Sequence, residues 1–452
     1  MTLTFNEIST ILGLPPMGDG TVSGIAIDSR NVAPGDLFCC IVGARVDGHE
    51  FASDAVQRGA FAILATRPLT ADVPVYQVES IETALAKIGG LIRSTFPGKV
   101  VGVTGSVGKT TVKEYLAAAL GGSNVLKTEG NLNTEFGVPV CWMKLLPQHQ
   151  FAVIEMAMRG LGQIAHLCSF SKPHIGVVTS LGSAHIGELG GLEQIARAKA
   201  EILASLPHDG VAIIPADDDN VQILRACAAC SVLTFGRDVA ANYRIESWNV
   251  MWESGETTVE FSNQGSRFQT RVKGLGYSAA RNGVAALAAA VACGVDMYEA
   301  SQAIVNATVP AGRLKILTLG GATLISDVYN SSPESCAEAL ANLSQFPAAG
   351  RRIAVLGDMM ELGPFAESMH KRVGALVAES GIDVLYLVGA QSEWIGEGAV
   401  GSGFKGQVAR FSNAFEARRL FEQLQPGDVV LLKASRSVEL ENAIPNLEAK
   451  HA

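Results

Sequence analysis

A basic surplus is missing from this chain of 452 residues: 35 lysines and arginines stand against 44 aspartates and glutamates, for a net charge of −9. Binding a nucleic-acid backbone needs a concentrated positive face, so nucleic acid is excluded as the main partner. Any anion the protein holds must meet a local site. Long apolar runs are missing too. The longest, residues 283–295, falls short of the roughly 20 needed to span a bilayer. The opening MTLTFNEIST has no basic segment leading into an apolar one, so it does not read as a signal peptide. The expectation is a cytoplasmic protein with no membrane insertion. Cysteine is sparse: eight residues in a chain this long fit reduced, buried thiols better than a disulfide framework. Cys227 and Cys230 form a C-x-x-C, but no second pair or histidine pair follows at zinc spacing, so both read as small helix residues. Charged residues make up only 17% against 48% hydrophobic, which excludes disorder and supplies material for large cores.

What is present is a long alternation of strand and helix patterns, with no fixed-period repeat and no low-complexity tract. One core rarely serves a chain of this length, and the pattern divides it into three α/β domains. Residues 1–97 form a small one, with strands at 24–27, 37–42, 62–65 and 73–78 and helices near 51–58 and 82–96. Residues 98–312 form a central P-loop domain, whose strands at 100–103, 151–156, 175–181, 211–215 and 232–235 each lie near a helical segment and therefore predict a mainly parallel sheet. A β-rich insert at 243–252, 257–262 and 267–272 precedes an alanine-rich helix after Asn282. Residues 313–452 repeat the alternation as a Rossmann-like α/β domain, with strands at 323–327, 353–356, 384–388, 408–411 and 429–433. The cleft between domains is the expected working place.

The stretch VGVTGSVGKTTVKEYL, residues 101–116, runs a β-branched strand into a glycine-rich turn and on into a helix. A long P-loop would need glycine at Val103, so this is the shorter form Gly105-Ser106-Val107-Gly108-Lys109-Thr110-Thr111. Glycines let amides approach phosphate oxygens, and the helix directs its positive end at them. Lys109 would neutralise the β and γ phosphates and the Thr110 hydroxyl would face magnesium. Glu155 ends the apolar strand FAVIE, where an unpaired carboxylate is costly unless a cation meets it. It is a candidate magnesium ligand, with a helix cap as the plainer alternative. His185 follows the next strand on the same edge; an exposed loop histidine is the plainer reading there. Lys199 falls on the apolar stripe of the helix predicted over 192–206, three before Ile202 and four before Leu203. A lysine there either snorkels out or loses its proton, and a deprotonated amine can add carbon dioxide to become a metal-binding carbamate.

These segments together resemble the Mur ligases, ATP-dependent amide-forming enzymes of peptidoglycan precursor synthesis. The marks are TGSVGKTT (104–111), EGNLNTEFGVP (129–139), VIEM (153–156), the loop at His185, ARAKAEI (196–202), DVYNSSPES (327–335), VLGDMMELG (355–363) and LLKASRS (431–437), an ordered set spanning essentially the whole chain. Within the family, GIAIDSR, PGDLF, Y-N-x-x-P, L-G-D-M-x-E-L-G and K-x-S-R are similar to the branch that joins D-alanyl-D-alanine to UDP-N-acetylmuramoyl-tripeptide. The resemblance implies ATP, two magnesium ions and a monomer. It implies that Lys199 is carbamylated and that it binds metal with Thr110, Glu155 and His185, while Lys109, Lys199 and His185 serve catalysis. Asn282, Arg313 and Asp327 join the glycine turn in holding ATP. Asp28, Ser29 and Arg30 of the first domain, with Asn131 and Asn133, are implied for the UDP-sugar and tripeptide. Asn330, Ser332, Ser435 and Arg436 are the candidates for the dipeptide, with caps and turns as their plainer alternative. The implied reaction turns the tripeptide carboxylate into an acyl phosphate, which the dipeptide amine attacks in a closed cleft.

Two departures predict altered nucleotide or dipeptide contacts. Relatives commonly carry G-x-H-N-x-x-N before the alanine-rich helix, whereas Gly276 to Asn282 here has Ser278 and Ala279 in place of histidine and asparagine. Ser332 replaces a more usual asparagine. Competing readings are a family member that adds a single amino acid, whose Asp-Asn-Pro-Arg motif this chain lacks, and folylpolyglutamate synthase, which lacks the DSR-type first domain. A non-catalytic nucleotide-binding relative is a third, opposed by intact Lys109, Glu155, His185 and Lys199. Whether the tripeptide ends in diaminopimelate or lysine stays open.

Overall fold

Residues 1–43, 45–308 and 315–445 are described by a computed structural model, and their strands form four sheets. The apolar runs become buried strands: Val100, Val101, Val103, Val153, Ile154 and Val177 have no exposed surface. Such near-continuous apolar strands need helices on both faces, as parallel α/β sheets provide. The largest sheet has nine strands. In order across it run Ser266–Lys273, Glu256–Asn263, Tyr243–Met251, Ser231–Gly236, Val211–Pro215, Ile175–Val178, Lys99–Thr104, Phe151–Glu155 and Val125–Lys127. The last seven pair in parallel and the first three form an antiparallel meander. The predicted insert is thus an extension of the same sheet. Lys99–Thr104 lies between two strands that follow it in sequence, Phe151–Glu155 and Ile175–Val178, so the chain leaves it in opposite directions. At such a switch point the loops part and leave a crevice at the carboxyl ends of the strands.

The N-terminal unit is a four-stranded parallel sheet, Gly24–Ala26, Asp36–Cys39, Ala62–Ala65 and Val75–Gln77, with a small pairing of Leu3–Thr4 on Thr21–Val22. Its helix Ile81–Ser94 packs against Gly137–Met143 and Gln163–Ser171 of the middle unit. The C-terminal sheet runs Lys315–Leu319, Ala322–Asp327, Val429–Lys433, Arg352–Gly357, Val384–Val388 and Gln407–Phe411. Only its first pair is antiparallel.

The structure corrects the reading of the alanine-rich helix, which starts at Gly276 and includes Asn282 rather than following it. Gly276 takes φ +71° and a Cβ there would collide with the Asn342 amide, so the helix begins where only glycine fits against the C-terminal domain. All eight cysteines are free, six of them buried; Cys227 ends a helix, while Cys230 lies beyond it. Among the described residues no helix is long and apolar enough to cross a membrane.

Candidate active site

The glycine turn follows Lys99–Thr104 and opens helix Lys109–Ala119. The first amides of any helix have no intrahelical acceptor, which makes such an end an anion site. Gly108 caps it at φ +89°, and a Cβ there would stand 2.5 Å from Oδ1 of Asn282. The turn is braced from the neighbouring strand end: Ser106 N–H donates to the Ser180 carbonyl (3.0 Å) and Val107 N–H to Ser180 Oγ (2.9 Å). Lys109 Nζ donates back to the Gly105 carbonyl at 2.7 Å, so its ammonium is kept at the turn.

Register explains why Glu155 stands beside this turn: it pairs with Val103, two residues before Gly105. The carboxylate is 2% exposed. Its Oε1 accepts from Asn133 Nδ2 (2.8 Å) and Thr110 Oγ1 (3.2 Å). Its Oε2 has no hydrogen-bond donor; the nearest cation is Lys113 Nζ at 3.6 Å. A buried carboxylate oxygen left with an ion-pair neighbour but no donor is an incomplete arrangement that a cation would finish. Lys199, on helix Leu192–Ala204, is buried as the apolar stripe requires. Burial, and after it the charge of Lys109, hold its amine well below the ordinary lysine range. No carboxylate pairs with Lys199 among the described residues.

A cavity of about 540 Å³ joins the glycine turn and Glu155 to the C-terminal domain, and Lys199 is not among the residues that line it. Ser106 to Thr110, Asn131, Asn133, Glu155 and His185 line one side; Asp327, Asn330, Ser332, Glu361 and Lys433 line the other. His185 adopts φ +65° at the head of the short helix Ile186–Leu189. Its Nδ1 stands 2.8 Å from Glu361 Oε2, in a close contact that misses hydrogen-bond alignment; this neighbour lowers the Glu361 carboxyl below its usual range. Lys433 Nζ donates to Asp327 Oδ2 (2.6 Å) and the Asn330 carbonyl (3.0 Å). A second, smaller cavity of about 90 Å³ continues from Gly108 and Thr111 to Ser278, Ala279, Asn282, Asp327 and Glu338. The two departures at Ser278 and Ala279 therefore lie in a cavity wall beside the phosphate turn.

Other predicted residues stand elsewhere. Asp28, Ser29 and Arg30 are in the N-terminal sheet's first turn, outside both cavities: Asp28 accepts from Arg30 N (3.0 Å) and Nη2 (2.6 Å), lowering its carboxyl through that partner. Ser435 is buried, accepting from Met360 N (2.9 Å), and Arg436 pairs with Glu441 on the surface; neither lines the cavities. Ser332 caps helix Pro333–Gln345 through Ser335 N. Arg313 lies outside the described residues. Sequence reasoning missed Lys113, Lys433, Glu334 and Glu361. Two carried a signal: Lys113 sits one turn after Lys109 on a buried helix face, and Lys433 ends an apolar strand in register with Asp327.

Among the described residues no three His, Cys, Asp or Glu side chains gather as a closed metal cage. A hydroxyl and a carboxylate side by side, Thr110 and Glu155, with an Oε2 that accepts no hydrogen bond, suit a magnesium ion that takes one or two protein oxygens and completes its shell elsewhere.

Comparison with known proteins agrees along the whole chain. Residues 103–290 match the Mur ligase middle domain, 312–436 the Mur ligase glutamate ligase domain, and 21–90 the Mur ligase family catalytic domain. A curated relative from Synechocystis sp., UDP-N-acetylmuramoyl-tripeptide--D-alanyl-D-alanine ligase, is 37% identical, over 96% of this chain and 93% of its own length. The crystal structure of MurF from Acinetobacter baumannii superposes with TM-score 0.89 at 28% identity, covering 98% of each chain. That of MurF ligase from Thermotoga maritima in complex with ADP gives TM-score 0.80 at 31% identity, covering 93% of this chain and 96% of that one. The chain belongs to the Mur ligase family.

Proposed function

We propose that this chain joins D-alanyl-D-alanine to UDP-N-acetylmuramoyl-tripeptide at the expense of ATP, giving the UDP-linked pentapeptide, ADP and phosphate. The observation that carries the reading is the meeting of Lys109, Glu155 and His185 on one cavity whose opposite wall is the C-terminal domain. Near full-length likeness to relatives of that activity, one of them holding ADP, supports it. In this reading residues 1–97 hold the UDP-sugar, 98–312 the ATP and 313–452 the dipeptide, in a monomeric cytoplasmic enzyme.

A carboxylate does not react with an amine at neutral pH, so the phosphate turn presents the γ-phosphoryl group to the peptide carboxylate. Lys109 and the amides at the start of its helix balance charge on the transferring group. Asn282 and Asp327 would position the nucleoside along the smaller cavity, and Asn330 and Ser332 the dipeptide. Two magnesium ions would neutralise the crowded anions when bound, held by Thr110, Glu155, His185 and Lys199 as a carbamate. The neutral Lys199 amine adds to carbon dioxide through its lone pair and gives up one proton, a step its depressed basicity favours. Closure of the cleft keeps water from the acyl phosphate that the dipeptide amine attacks.

Phosphate release measured with UDP-N-acetylmuramoyl-tripeptide and either D-alanyl-D-alanine or a single amino acid tests this. Turnover is expected only with the dipeptide; equal rates with a single diamino acid would reject the assignment.

A further inference from the structure

The loop bearing His185 is held from across the cleft. Glu334, in the first turn of helix Pro333–Gln345, accepts the Ser183 amide on Oε1 at 3.1 Å and the Ser183 hydroxyl on Oε2 at 3.0 Å. Ser183 is wholly buried. A Cβ on Gly182 would stand 3.0 Å from the same carboxyl carbon, so the loop and the carboxylate are in close contact. Further along, the Gly187 amide donates to the Glu361 carbonyl at 3.1 Å. There two glycines meet back to back: a Cβ on Gly187 would stand 2.5 Å from the Gly363 nitrogen. The other end of the loop is tied to the phosphate turn, where Ser106 Oγ donates to the Gly182 carbonyl at 3.0 Å.

His185 lies between these two grips in a left-handed conformation that a side-chain-bearing residue seldom adopts alone. Its surroundings must hold it there. The two amide hydrogen bonds that the loop donates across the cleft, from Ser183 and Gly187, end on the C-terminal domain, so parting the domains breaks them together.

We propose that Glu334 is a positioning residue: by gripping Ser183 it sets the loop that places His185 on the cavity wall, and it does so only while the C-terminal domain is docked. The domain that receives the acceptor thereby completes the edge that handles phosphate. The consequence for catalysis rests on the ligase reading above; the hold on the loop does not.

The test compares the full-length protein with Glu334→Gln, which keeps shape but loses the charge behind both hydrogen bonds, with Ser183→Ala, and with the double variant. In Glu334→Gln, amide hydrogen exchange over residues 183–189 should quicken about tenfold while strand Val211–Pro215 stays unchanged. The kcat with the dipeptide should fall about tenfold with KM for ATP within about twofold, and the double variant should be no worse than the poorer single one. Unchanged exchange in the loop, an intact kcat despite faster exchange, or losses that multiply in the double variant would each overturn the proposal. A wild-type protein that binds nucleotide but never turns over the dipeptide would reject the ligase reading, and the exchange data would still decide whether Glu334 holds the loop.

Discussion

The two walls of the cleft are built differently. On the middle-domain wall Thr110 and Glu155 are 8% and 2% exposed, and strand register sets Glu155 beside the glycine turn. On the C-terminal side the dipeptide candidates are scattered: Asn330 is exposed, Ser332 is a helix cap, Ser435 supports the Met360 amide, and Arg436 pairs with Glu441 on the surface. In the proposed function a sheet edge presets the phosphate chemistry, whereas recognition of the acceptor depends on how one domain meets another. Damage to the first wall should appear in the chemical step and damage to the second in acceptor affinity.

The largest effect expected is for Glu155→Ala. It removes the carboxylate beside the glycine turn and leaves Lys113, wholly buried, with Glu114 at 3.3 Å as its carboxylate partner. The kcat should fall by about a thousandfold, and loss of a buried ion-pair partner should cost about 3 kcal/mol of stability, read by denaturant unfolding. Lys199→Ala follows, with about a hundredfold loss partly restored by short carboxylates that stand in for the carbamate. An unimpaired variant would remove the lysine from the mechanism. The same lysine predicts a pH effect. Its pKa is depressed in the folded state, so the unfolded chain binds more protons there, and stability from this site rises with pH between the depressed and the ordinary lysine values. Thermal unfolding of Lys199→Met should lack that part of the rise; an unaltered profile would place the ammonium in solvent.

On the other wall Ser332→Ala should cost about 1 kcal/mol through the lost helix cap and raise KM for the dipeptide while kcat stays close to wild type. A fall in kcat alone would erase the contrast between the walls. The smallest effect is expected farthest out. Arg30→Ala, outside both cavities, should weaken the UDP-linked substrate about threefold in calorimetry, in line with an exposed ion pair, and leave ATP affinity unchanged. Loss of ATP affinity would place the N-terminal turn in the nucleotide site.

Local patterns carried the placement of the first wall. The strand, glycine turn and helix at 99–119, the carboxylate ending FAVIE and the burial of the lysine on an apolar stripe can each be read within a few residues. The contacts that join the walls do not. Glu334 and Ser183 are 151 positions apart, and nothing in either segment announces the other. Lys113 shows in the sequence only by its spacing from Lys109, and its partner Glu155 appears when register brings that strand beside its helix. Strand Val125–Lys127 is too short to show an alternating pattern, and Lys315–Leu319 is an antiparallel edge strand that the strand and helix alternation expected of the C-terminal domain did not include. The start of the alanine-rich helix was hidden for a similar reason, since Gly276 is dictated by Asn342 in another domain.

The central claim is that the γ-phosphoryl group passes directly to the peptide acid at the edge where Lys109 and Glu155 meet. Oxygen-18 placed in the terminal carboxylate of the tripeptide tests it most directly: in a complete reaction with D-alanyl-D-alanine, one labelled oxygen should appear in the inorganic phosphate released. Phosphate free of label would contradict the transfer.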